Sequence, residues 1–167
     1  MKSKATSIIE RRDNLSKDIN KYWSIINLEN VMPRTMTRHY DLKNLFEQIK
    51  TMANQRAEQK LKALCINMGF KKFSDLPEDC IQRTIFELSE FQELKVRLGK
   101  VRTLSPKLKA SKGKKKINKT EVLTSDWIAA RLKEIEIHII GLKQKIANFN
   151  ETNELEEEDT PAIKLAA

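Results

Sequence analysis

Few residues in this chain could do chemistry, and their spacing limits what kind. There are two histidines, His39 and His138, and two cysteines, Cys65 and Cys80. A metal site needs such ligands gathered together, and these are scattered. Glu134 and His138 stand at i, i+4 on one helix face, but with no third ligand in view they read as a surface polar pair. His39 falls in a connection, capping or exposed. Cys65 lies close to an apolar stripe and reads as a small hydrophobe. Cys80 enters a helix, where a thiol's acidity can be enhanced. A nucleophile also needs a base and oxyanion donors, and none lies nearby. Gly69, Gly99, Gly113 and Gly141 are isolated, so no phosphate-cradling loop exists. The expectation is a protein without metal or cofactor, and not an enzyme.

The lysines are different. Lys107, Lys109, Lys112, Lys114, Lys115, Lys116 and Lys119 crowd one short stretch that contains no acid. Flexible ammonium groups favour phosphate. The stretch has no aromatic residue for base stacking and no arginine for bidentate readout, so binding there is expected to ignore base sequence. A second candidate anion site is Arg34, Arg38 and Arg56, if the connection after the first helix folds back to bring them together at one end of a bundle. The C-terminal acids Glu151, Glu154, Glu156, Glu157, Glu158 and Asp159 could pair with the lysines. Removing residues 151–167 is then expected to strengthen polyanion binding.

The elements that position these residues are helices. The chain has 167 residues, 33% of them charged, a net charge of +9 and only four glycines and four prolines. That composition disfavours a turn-rich β fold and suits long amphipathic helices. The expected fold is all-α: four helices over about 3–27, 41–68, 76–104 and 125–149, forming a bundle or helical hairpins with coiled-coil character in one domain over 1–150. A basic loop spans 105–120, and an acidic tail, read as disordered, spans 151–167. Asp41 and Thr124 are candidate N-caps, Gly69 a helix stop, and Lys119–Thr124 a candidate short strand. No stretch is long and apolar enough for a membrane span. The N-terminus lacks an export signal, which suggests free thiols and a cytoplasmic location.

The last helix carries the most regular pattern. Ile128, Leu132, Ile135, Ile139, Leu142, Ile146 and Phe149 alternate at spacings of four and three, an unbroken heptad seam. Trp127, Ile137 and Ile140 lie off that seam. A second apolar face on one helix points to a partner chain, so this helix is expected to form a homo-oligomer interface.

Three segments carry a family resemblance. IIERRDNLSKDI (Ile8 to Ile19) is similar to an I-x-x-R-x-x-L-x-x-x-I opening, IFELSEFQELKVRL (Ile85 to Leu98) to a mid-chain helix, and Lys119 to Asn150 to a final-helix segment. Together they resemble the septicolysin-like family of small all-helical bacterial proteins that assemble as ring-like oligomers. The resemblance implies a ring, a hexamer, with the basic loop repeated around its axis, and the family's cytolysin label implies membrane damage. It designates no catalytic residue. The residues themselves lead to a non-enzymatic assembly whose lysine loop contacts nucleic acid or a nucleotide. The alternative is an adaptor or inhibitor docking a protein partner through the last helix.

Overall fold

The computed structural model describes residues 5–77, 79–104 and 118–153. Four long helices dominate: α1 (Ala5–Glu29), α2 (Leu42–Asn67), α3 (Ile81–Gly99) and α4 (Ser125–Thr152). A single 3-10 turn, Phe73–Asp75, precedes α3. Two three-residue strands, β1 (Val31–Pro33) and β2 (Lys119–Glu121), pair antiparallel, with Met32 opposite Thr120. Each helix packs against the next in sequence. The ribbon therefore sits where α1 and α3 end and α2 and α4 begin.

Local chemistry sets the boundaries. Asp41 Oδ1 accepts from the Lys43 and Asn44 amides, 3.0 and 3.2 Å away, and starts α2. Gly69, at φ 79°, ends it by donating to Ile66 O while Phe70 donates to Cys65 O. Thr124 Oγ1 caps the Trp127 amide and starts α4. The third helix is shorter than its apolar pattern suggests. Phe73–Asp75 form the 3-10 turn, Cys80 is the N-cap, and the helix ends at Gly99, with Lys100 as its C-cap. The helix does not continue because Arg102 O and Leu104 N bond to the Asn30 and Glu121 side chains instead of to helical partners. Glu151 and Thr152 complete α4 and are not part of a tail.

One core joins all four helices: Ile19, Trp23 and Ile26 of α1, Phe46 and Ile49 of α2, Leu94 and Leu98 of α3, and Ile128, Ile135 and Ile139 of α4. Trp23, Phe46 and Trp127 meet edge to face, with centroids 6.1 and 5.3 Å apart. A smaller cluster of Leu61, Cys65 and Leu76 closes the opposite end. The heptad seam of α4 is thus a correction to the expected interface. Ile128, Ile135, Ile139 and Leu142 are buried within the chain, Leu132 and Ile146 are half-buried, and Phe149 alone reaches 37% exposure. The physical reason is that α4 has to cover α3, and its widest apolar stripe does so.

Candidate functional site

The ribbon end is built around two polar side chains. Asn30 is fully buried and makes four bonds. Its Nδ2 donates to Arg102 O at 2.7 Å and Leu123 O at 3.0 Å, and its Oδ1 accepts from the Val122 and Leu123 amides. One amide thereby ties the end of α1 to the exits of α3 and β2. Arg38 clamps the same corner. It donates to Glu29 O, Asn30 O, Thr120 O and Thr120 Oγ1 at 2.7–3.1 Å. Five donors in a planar fork suit this task, since a helix end leaves carbonyls unpaired.

These bonds hold three backbone segments side by side, and exposed cations project from all of them. Arg34 follows β1 and its amide donates to Asn118 O, Lys100 and Arg102 follow α3, Lys119 opens β2, and Lys43 lies in the first turn of α2. None of these five forms an ion pair among the described residues. The nearby acids are engaged: Asp41 caps α2, Glu29 accepts from the His39 amide, and Glu121 accepts from the Leu104 amide at 2.6 Å. Leu104 and Asn118, which flank the lysine-rich stretch, both lie here. Lys107, Lys109, Lys112, Lys114, Lys115 and Lys116 themselves lie outside the described residues, as do 154–167.

The three arginines expected to converge do not. Arg38 is spent on backbone carbonyls, and Arg34 is exposed beside it. Arg56 lies 14 positions beyond the start of α2, about 21 Å away at 1.5 Å per residue. There it joins a buried ionic cluster. Its Nε donates to both Glu90 oxygens at 2.8–3.0 Å and its Nη2 to Glu90 and Glu93, while Lys60 reaches Glu90 at 2.7 Å. Burial works to lower the Arg56 pKa, but the hydrogen bond and charge of Glu90, then those of Glu93, outweigh it and raise the pKa. This cluster holds α2 on α3 and has no charge left for a ligand.

Glu134 and His138 do not pair either. Glu134 bonds Arg131, and His138 bonds Glu87 at 2.8 Å while its ring lies 4.0 Å from that of Phe91. Burial pushes the Cys65 thiol pKa up, with nearby Cys80 adding to the shift, which suits a structural thiol. Among the described residues no three metal-ligating side chains gather, and no helix is long and apolar enough to cross a membrane. A cleft of about 370 Å³ between α2 and α3 has Leu61 and Phe73 in its wall and Glu58, Arg83 and Glu87 at its rim. Two of those rim charges are taken, Glu58 by Lys62 and Glu87 by His138.

Asn30 and Glu90 are the residues that sequence reasoning passed over. Their partners are distant in the chain, and neither stands in a local motif. Compared with known protein families, with curated proteins and with solved structures, the chain matches none.

Proposed function

We propose that this protein is a non-enzymatic helical binding protein whose ribbon end, together with the adjoining lysine-rich stretch, holds an anionic partner through its phosphates. Duplex nucleic acid is the partner that fits best. The observation behind this reading is the set Arg34, Lys43, Lys100, Arg102 and Lys119, exposed and without ion-pair partners among the described residues. They stand at the point where six more lysines of the sequence attach. Exposed cations gathered on one hydrogen-bonded corner favour a polyanion through counterion release and carry no base readout.

The test is binding of a labelled 20-base-pair duplex, of two unrelated sequences, across a salt series. Engagement of some six phosphates gives a log–log slope of about −5 to −6 and equal affinity for both sequences. Replacing Arg102 and Lys119 by Glu is expected to flatten the slope by about 1 per lost contact. Binding that ignores salt, or no binding at low salt, refutes the reading. Leakage from anionic vesicles without duplex binding would favour the membrane activity implied by the septicolysin-like resemblance.

A further inference from the structure

With its seam committed to the core, α4 still carries a second heptad pattern on its outer side. Ala130, Lys133, Ile137, Ile140, Gln144 and Ala147 recur at three, four, three, four, three, and all are exposed, Ile137 at 62% and Ile140 at 57%. Such spacing makes a straight stripe along a helix. The stripe reads the same in both directions: small, polar, isoleucine, isoleucine, polar, small. A surface with that symmetry is complementary to an inverted copy of itself, as a two-fold interface requires.

We propose that α4 pairs antiparallel with α4 of a second copy of this chain, about a two-fold axis between positions 138 and 139. Ile137 then packs on Ile140 of the second copy, and the alanines at either end let the backbones approach. Lys133 meets Gln144. The Gln144 amide nitrogen already donates to Asn148 at 3.0 Å, which leaves its carbonyl oxygen to accept from the incoming ammonium. The two-fold axis makes this polar contact twice, once on each side of the isoleucines, and polar contacts within a helix seam fix register and direction. Charge favours the same direction. Lys143 and Lys145 are exposed and have no ion-pair partner among the described residues, and Glu134 and Glu136, which already pair with Arg131 and Lys95 within the chain, lie on the N-terminal side of the isoleucines. Antiparallel pairing sets those lysines against those carboxylates, and parallel pairing sets like against like. Asp126 and Glu151 do meet across the antiparallel contact, but about 19 Å from its centre, in solvent and screened by salt. Self-association is thereby moved from the buried seam to the opposite side of the helix. The two ribbon ends of the dimer come to lie at opposite ends of a 28-residue helix, about 42 Å apart.

The test is solution mass by light scattering at 100 µM or above. Wild type is expected at twice the 19.4 kDa of one chain. Ile137→Glu with Ile140→Glu is expected at one, with an unchanged helical circular dichroism spectrum. Gln144→Lys sets lysine against Lys133 and is expected to weaken dimerisation at least about tenfold. Adding Lys133→Glu restores dimerisation in the antiparallel register and does not in a parallel one. A monomeric wild type, a dimer that survives the double glutamate change, or a K133E/Q144K protein no tighter than Q144K overturns the proposal. Duplex binding by the monomeric variant separates the two readings, because it tests the ribbon end without the dimer.

Discussion

Removing Arg56 from the ionic cluster is the most informative single perturbation of this fold. Glu90 is 1% exposed and shares three hydrogen bonds with Arg56, so Arg56→Met leaves a buried carboxylate held only by Lys60, itself 29% exposed. Breaking a buried pair by removing one partner costs about 3–5 kcal/mol. Because Lys60 remains, the low end, about 3 kcal/mol, is expected. For a chain of this length that is a fall of about 6–12 °C in Tm. Glu90→Leu is expected to cost a similar amount, leaving Arg56 with Glu93. The double variant removes both buried charges and frees Lys60 and Glu93, both about one-third exposed, to turn to water. Its loss is expected to fall about 3 kcal/mol short of the sum of the singles. Urea unfolding followed by circular dichroism gives all three values. Singles that each cost less than 1 kcal/mol, or a double equal to their sum, would show that the cluster is not a coupled buried unit.

Other expectations can be checked on the same protein. Asn30→Ala strands two carbonyls and two amides at the ribbon end and should cost about 3 kcal/mol or more, with faster hydrogen exchange at the Leu123 amide. A Cβ at Gly69 would meet nothing within 4 Å, so Gly69→Ala suffers only from the positive φ, about 1–2 kcal/mol. The Cys65 pKa is raised by folding above the ordinary thiol value of 9.0. The unfolded chain then loses its proton first, so this contribution to stability is whole below pH 9 and is lost as pH rises from there through the folded value. In reductant, Tm should drop between pH 9 and 10.5 more for wild type than for Cys65→Val, and equal drops would contradict the assignment.

Much of the architecture was legible in the sequence, because long helices advertise themselves through a 3.6-residue period repeated many times. Asp41, Gly69 and Thr124 marked their ends through chemistry confined to three or four neighbours. The ribbon was half visible. Lys119–Thr124 suggested a strand, but Val31–Pro33 is too short for alternation to show, and its pairing depends on residues some ninety positions away. The arginines misled for a similar reason. Charge type is visible in a sequence, but the partners that spend it are not, and Arg38 and Arg56 are both spent on distant groups. The heptad seam of α4 misled differently. Burial against one's own chain and burial against another leave the same pattern of apolar residues, so only the packing of α3 on α4 decides between them.

The Asn30 corner has a consequence for how the chain reaches this state. Its bonds span sequence separations of 72 and 93 residues, whereas the hairpin of α1 and α2 closes locally. At roughly 5–20 residues per second of synthesis, Leu123 emerges about 5–20 s after Asn30. For that interval α1 and α2 can collapse together while the amide at their junction is served only by water. The non-local closure comes late and is entropically the slowest step. It falls to β2 and α4, which seal the apolar side of the earlier helices as they bring the last hydrogen bonds to Asn30.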